Sequence, residues 1–337
     1  MSLQFGKTLI GKGHPVFVIA EIGINHEGSV ETCAKMIEEA ATAGASSIKL
    51  QTIDPERNYA KDTYSYELFS KAVLSQEETA RMFEYTKELG MEPFTTAGDF
   101  KTLEWINKLD PSGFKVSSGL LSCLPIIKKA ASFSKPILMS TGMADEANIQ
   151  AALDTVKSIG NDQVALFQCT SLYPAENEDL NLASIPWMEK RFNLPVGFSD
   201  HSIGTAAASL SVAAGAVMIE KHFTLDKKLP EYDHRLSLEP KEFALMVESI
   251  RQTEKIMGTH DKVLSKETSD MRDQMSRYMV VATDLKKGHI LQEEDILFFR
   301  LNKQSDAPLN ASMFRDLIGH PLRKDMKALD AILQDTI

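Results

Sequence analysis

Apolar residues gather along the chain into eight runs of strand length: Val16–Ile22, Ser47–Gln51, Glu92–Thr96, Gly113–Ser117, Pro136–Ser140, Gln163–Gln168, Pro195–Phe198 and Ala216–Glu220. Polar residues close each run. Segments with apolar positions at helical spacing follow them, over Val30–Ala43, Ser75–Leu89, Phe100–Leu109, Ser122–Phe133, Ala147–Ile159, Leu182–Phe192, Thr205–Ala214 and Pro240–Met257. Gly44, Gly90, Gly160 and Gly215 read as helix stops. Strands alternating with helices predict right-handed βαβ units and a parallel sheet. Eight such units in about 260 residues fit a (β/α)8 TIM barrel better than an open doubly wound sheet, which stays as the alternative. The expected organisation is a barrel domain over 1–258, a polar linker with some helix over 259–275, and a small β-rich domain over 276–337. Short β-rich pieces mark the last of these at Tyr278–Ala282, Leu285–Gly288, Ile296–Arg300 and Leu317–Leu333.

Composition narrows the function. The 337 residues hold 37 Lys and Arg against 47 Asp and Glu, a formal charge of −10, which argues against a sequence-independent nucleic-acid binder. No apolar run approaches the ~18 residues of a membrane helix, and the start lacks the regions of a signal peptide. The three cysteines, Cys33, Cys123 and Cys169, form no close pair and read as reduced thiols. A cytoplasmic protein acting on small molecules is the expectation.

In a barrel of this type chemistry lies at the C-terminal ends of the strands, and those ends are crowded with polar residues. Glu21 ends the first; Lys49 and Gln51 share a face of the second by the period-two rule; Thr96 ends the third. Lys115 and Ser118 come from the fourth, Ser140 from the fifth, Ser171 and Tyr173 from beyond the sixth. Ser199 and His201 close the seventh, Glu220 and His222 the eighth. His201 and His222, on adjacent strands, are placed either to share a divalent metal or to serve as hydrogen-bonded histidines. Lys49 and Lys115 lie inside strands, where an ammonium needs an anion. That anion is either a neighbour such as Glu21 or Glu220, or a phosphate or carboxylate ligand ringed by Thr96, Ser118, Ser140 and Ser199.

The segments AEIGINHEG, IKLQT, FKVSSG, ILMSTGM, QCTSLYP, GFSDHS and IEKHFT run in order through the barrel, with Asp233 following in PEYDHRLSLEP. Together they resemble the sialic acid synthases, which make N-acetylneuraminate, legionaminate or pseudaminate. The tail SRYMVVATDLKKGHILQEEDILFFR is similar to their antifreeze-like (SAF) domain. The resemblance implies condensation of phosphoenolpyruvate with an open-chain N-acetylated hexosamine, either N-acetylmannosamine or a 2,4-diacetamido-trideoxyhexose, with release of phosphate by C–O cleavage. It implies a divalent metal, Mn²⁺ with Mg²⁺ or Co²⁺ as substitutes, on His201 and His222. Glu21, Lys49 and Lys115 become the catalytic candidates. Lys49, Thr96, Lys115, Ser118 and Ser140 carry over to the phosphate side, with Ser199 near the carboxylate end. Gln51, Tyr173 and Asp233 carry over to the acceptor, and Arg300 matches an arginine that reaches the partner's acceptor site in a domain-swapped homodimer.

Some positions depart from that pattern. Leu120 stands where the family usually has an acidic residue, and Ser171 where it has an asparagine. Thr96-Ala97 replaces threonine-proline, and Glu231-Tyr232 a common Gly-Pro. Two other readings therefore accompany the synthase: a Schiff-base aldolase using Lys49 or Lys115, and a non-catalytic sugar-acid-binding barrel marked by Leu120.

Overall fold

A computed structural model of the chain describes residues 2–259, 261–301 and 308–337. It divides into two compact units, Met1–Gly258 and Thr259–Ile337. The first is a closed barrel of eight parallel strands preceded by an antiparallel hairpin, β1 (Ser2–Phe5) and β2 (Thr8–Gly11). The barrel strands are β3 (Phe17–Gly23), β4 (Ser47–Gln51), β5 (Glu92–Thr96), β6 (Phe114–Val116), β7 (Ile137–Ser140), β8 (Val164–Cys169), β9 (Val196–Asp200) and β10 (Met218–His222). Each pairs with the next, and β10 returns to β3, so the open-sheet alternative is set aside.

Helices α1 (Val30–Thr42), α2 (Pro55–Asn58), α3 (Tyr64–Lys71), α4 (Gln76–Glu88), α5 (Phe100–Lys108), α6 (Leu124–Ala131), α7 (Glu146–Lys157), α8 (Ser184–Phe192), α9 (Ala206–Ala213) and α10 (Pro240–Met257) complete the unit. All eight anticipated strands and helices are present. The helical spacing did not predict α2 and α3, which lie between β4 and α4. Asp54 caps α2 and Thr63 caps α3, but α3 spans only eight residues and fully buries none of them, Leu68 and Phe69 being half-buried, so its spacing gives a short signal.

Side chains of a strand alternate between faces, and this divides the barrel into two cores. Val18, Ile48, Leu50, Met139, Leu166, Phe198 and Ile219 belong to the larger cluster, which includes the buried faces of α1, α4 and α10. Phe17, Ile19, Phe94, Leu138, Ala165, Phe167 and Met218 form the interior cluster with Leu3, Phe5 and Ile10 of the hairpin. The Phe5 ring meets Phe17 and Phe94 edge-on, with centroids 5.5 and 5.1 Å away, and so closes the barrel floor. Gly197 leaves room for this packing: a β-carbon there would lie 2.7 Å from the Phe167 ring and 2.8 Å from the Met218 carbonyl oxygen.

Two residues further along the same strands, the inward positions turn polar. Ile19 gives way to Glu21, Phe94 to Thr96, Leu138 to Ser140, Phe167 to Cys169 and Met218 to Glu220. The barrel thus has an apolar floor and a charged mouth.

The second unit has its own core of Met279, Val281, Leu285, Leu291, Ile296, Leu309, Leu317, Leu322, Met326 and Ile332. Its elements are α11 (Lys266–Met275), the antiparallel pair β11 (Tyr278–Val281) and β12 (Ile296–Phe299), and α12 (Phe314–Leu317). Leu285 and the 317–333 stretch, anticipated as β-rich, contribute isolated bridges such as Leu285 with Met326 and Ile290 with Pro321. Among the described residues no helix is long and apolar enough to cross a membrane.

Candidate active site

Four ionisable groups meet in the barrel mouth. Lys49 Nζ lies 3.1 Å from both Glu21 Oε1 and Glu220 Oε1, and Lys115 Nζ lies 2.5 Å from Glu220 Oε2. The register puts Glu21 beside Lys49 on β3 and β4 and Glu220 beside Ser199 on β10 and β9, while Glu220 meets the two lysines across the barrel interior. Ser199 donates to Glu220 at 3.0 Å and Gln51 donates to Glu21 at 2.7 Å. Lys115 also stands 4.4 Å from the centre of the Phe167 ring. The neighbouring carboxylates named at the outset as partners for the lysines do hold them in this structure.

The four groups are all buried but electrostatically unequal. Burial pushes Glu21 up to about 7, because one lysine does not offset its lost hydration and Glu220 repels it. Burial would also raise Glu220, yet Lys115 and Lys49 overcome it and hold the group far below the usual carboxylate range. Lys49, facing two carboxylates, is held above its ordinary value against burial. Lys115 has only Glu220 beside it, so burial and repulsion from Lys49 bring it down to about 8. When Glu21 takes a proton, the cluster carries a net positive charge.

Around this cluster lie hydroxyls without partners. The Oγ atoms of Ser140 and Ser171, Thr96 Oγ1 and Glu21 Oε2 are buried and make no hydrogen bond. Unpaired buried polar atoms are costly, and the three unpaired hydroxyls beside two ammonium groups suit an anion with many oxygens once Glu21 carries a proton. Ser118 Oγ accepts from the backbone of Gly142 at 3.0 Å. A β-carbon on Gly142 would lie 2.5 Å from Ser171 Oγ and 2.9 Å from Ser118 Oγ, so glycine lets both hydroxyls close over the backbone.

The two histidines stand 5.4 Å apart between ring centres. Nδ1 of His201 bonds the Thr170 carbonyl at 2.8 Å, which leaves Nε2 as the free lone pair, and Tyr173 stacks on the ring at 4.2 Å. His222 Nδ1 is buried without a hydrogen bond, 3.4 Å from Asp233 Oδ2. Burial lowers His201 to about 4 and, helped by repulsion from His201, lowers His222 well below its ordinary value. Both rings are therefore neutral donors, the form a metal needs. Among the described residues no three His, Cys, Asp or Glu side chains converge as a metal cage. An ion here would rest on two ring nitrogens, with water and substrate oxygens filling an open shell. Burial raises Asp233 to about 6 and raises the Tyr173 hydroxyl and Cys169 thiol above their ordinary values.

A cavity of about 520 Å³ collects these groups, enough for two small substrates. Glu21, Lys49, Gln51, Thr96, Lys115, Ser118, Ser140, Ser171, Tyr173, Ser199, His201 and His222 all line it. Asp233 adjoins it through His222. Arg300 belongs to the other unit, directly after β12. Leu120 lines the cavity from the turn after β6. Residue-type reasoning missed Ile53, Asn58, Tyr59 and Phe69, which wall the outer cavity from the α2–α3 segment. The Asp54-Pro55 helix start was the available signal.

The pattern of the NeuB family matches residues 36–262. The chain is 36% identical over 335 residues to an uncharacterized protein of Methanocaldococcus jannaschii, covering 99% of this chain and 98% of that one. It is 32% identical over 345 residues to an N,N'-diacetyllegionaminic acid synthase of Legionella pneumophila, covering 97% and 96%. A crystal structure of N-acetylneuraminic acid (sialic acid) synthetase from Leptospira borgpetersenii superposes with a TM-score of 0.77 at 30% identity, over 82% of this chain and 97% of that one.

Proposed function

The chain belongs to the NeuB family, and from that premise we propose that it condenses phosphoenolpyruvate with an open-chain N-acetylated hexosamine to a nonulosonic acid. The observation that carries the reading is the Glu21–Lys49–Glu220–Lys115 cluster facing unpaired hydroxyls in one cavity. In this reading Lys49 and Lys115 bind the phosphate and carboxylate oxygens of the donor. Thr96, Ser118, Ser140 and Ser171 donate hydrogen bonds to it, and Ser199 orients Glu220 beneath it. C3 of the donor attacks the aldehyde carbon and positive charge develops at C2, above Glu21. Ionised Glu21, steadied by Gln51, takes a proton from the water that adds to C2. The tetrahedral adduct then expels phosphate by C–O cleavage: the C2 hydroxyl yields its proton to the departing phosphate as the ketone forms, and the proton taken by Glu21 passes to the alkoxide left from the aldehyde oxygen. Gln51, Tyr173 and Asp233 hold acceptor hydroxyls and the acetamido group.

A divalent ion on His201 and His222, Mn²⁺ with Mg²⁺ or Co²⁺ as substitutes, would polarise the aldehyde oxygen as a Lewis acid. The proposal includes an antifreeze-like (SAF) identity for residues 276–337, a cytoplasmic location and a domain-swapped homodimer in which Arg300 serves the partner's acceptor. The test is phosphate release from phosphoenolpyruvate with Mn²⁺ across N-acetylmannosamine and 2,4-diacetamido-trideoxyhexoses, with mass spectrometry of the acid formed. A nine-carbon acid, lost with EDTA or on His201→Ala, establishes the reading. Phosphate from none of these sugars by a protein that binds both metal and donor would instead establish a binding barrel.

One observation favours a second reading. Lys115, lowered to about 8, has the fraction of free amine that a Schiff base requires. A pyruvate adduct trapped on Lys115 by borohydride, formed without metal, would establish an aldolase.

A further inference from the structure

A second ion pair in the barrel wall is unused by this chemistry. Asp200 and Lys221 are register partners on β9 and β10, and both side chains have no exposure to solvent. Lys221 Nζ lies 2.8 Å from Asp200 Oδ2 and donates to the Ser202 carbonyl at 2.5 Å. Asp200 Oδ1 accepts from both the backbone and the hydroxyl of Ser202, at 2.8 and 2.7 Å. The pair therefore ties β10 to β9 and to the first residues beyond β9.

Its position along the strands is informative. By the period of two, Ser199 and Glu220 face the cavity, Asp200 and Lys221 face outward, and His201 and His222 come next on the cavity side. The outer positions around the pair, Val196, Phe198, Ile219 and Phe223, are apolar members of the larger core. Stability alone gives no reason for charges there, because apolar residues of similar volume often replace a buried ion pair at no cost. Such a pair does define register, and a slip of one residue would turn His201 or His222 out of the mouth.

The tie also reaches Tyr173. Ser202 is bridged to Ala175, whose backbone N–H donates to the His201 carbonyl at 3.0 Å, and Tyr173, two residues earlier, stacks on His201. We propose that the buried Asp200–Lys221 pair, clamped onto Ser202, is a positioning device that holds His201 and His222 at metal-sharing distance. The proposal rests on the reading of these histidines as the metal-holding residues. Asp200 and Lys221 touch neither substrate nor ion; they act through the backbone of their neighbours.

Removing one partner strands a buried charge and invites misfolding, so the test uses the neutral double variant Asp200→Asn/Lys221→Met. Two quantities are read on protein free of substrates: the Mn²⁺ dissociation constant by electron paramagnetic resonance, and the ¹⁵N ring signals of His201 and His222 without metal. The expected result is a folded protein whose Mn²⁺ affinity falls about tenfold, the lower end for outer-shell partners of metal ligands. Its His201 ring signals should lose their single tautomer, and Lys221→Arg should restore most of both. Folded double variant with Mn²⁺ affinity within twofold of the parent and unchanged ring signals overturns the proposal. Failure of the metal reading shows separately, as a parent whose Mn²⁺ binding is indifferent to His201→Ala; the metal-free ring signals then still decide the positioning role.

Discussion

If the proposed donor site is right, Lys115 should make phosphoenolpyruvate binding fall at alkaline pH. Its ammonium titrates at about 8, so about nine-tenths of it is charged at pH 7 and about one-tenth at pH 9. The phosphate of a monoester has its second pKa near 6, so the ligand keeps the same charge throughout that range. Where only the ammonium form of Lys115 binds the donor well, the apparent Kd for phosphoenolpyruvate rises about tenfold from pH 7 to pH 9, or ~1.4 kcal/mol. Glu21, at about 7, ionises in the lower part of the range and adds repulsion of the same sign. Lys49 does not contribute, because its two carboxylates keep it protonated throughout. Folding responds with the opposite sign. The unfolded lysine keeps its proton to 10.5, so between pH 8 and 10.5 the unfolded chain holds more protons and the Lys115 contribution favours the folded state as pH rises. Isothermal titration calorimetry of phosphoenolpyruvate at pH 7, 8 and 9, on the parent and on Lys115→Met, measures the effect. The variant should bind at pH 7 at least as weakly as the parent at pH 9, with a flatter profile. A parental change below twofold, or an undiminished slope in the variant, would refute the reasoning.

Other substitutions test other parts of the molecule. Glu21→Gln should lower kcat by about 10²–10⁴, should tighten rather than weaken the donor Kd above pH 7 because the repelling carboxylate is gone, and should abolish the rise of parental kcat with pH towards about 7, where Glu21 ionises; steady-state kinetics at pH 6 to 8 decide it. Gly197→Ala forces a methyl against the Phe167 ring and the Met218 carbonyl, and urea unfolding should show a loss of about 1–3 kcal/mol. Phe5→Ala empties the barrel floor and should cost about 3–5 kcal/mol in the same assay, with the mouth chemistry retained in the folded fraction.

The barrel was legible because its strands are nearly all buried, which leaves short apolar runs bounded by polar ends. The hairpin was not, since four-residue strands joined at Gly6 and Lys7 give too few positions for a period to show. α3 escaped notice for another reason: none of its residues is fully buried, and Phe69 covers the cavity rather than a core. The chemistry of the mouth could be read from residue types at strand ends, down to the choice of Glu21 or Glu220 as partners for the lysines. Which carboxylate meets which lysine could not, because Glu220 reaches Lys115 across a barrel whose closure brings residues 105 apart in sequence together. The role of Asp200 and Lys221 was hidden behind more conspicuous neighbours; only the register shows that these charges point the other way.

The hairpin that floors the barrel has a consequence for how the protein is made. Leu3, Phe5 and Ile10 leave the ribosome before every barrel strand, but the side chains they pack with extend to Phe167 and Met218. Until β10 has emerged and paired with β3, this greasy hairpin meets only part of the floor that covers it. The nascent chain therefore carries an incompletely covered phenylalanine until the barrel strands are complete, a natural handle for a chaperone. Docking of the hairpin becomes a late checkpoint, completed only by a chain whose last barrel strand has arrived.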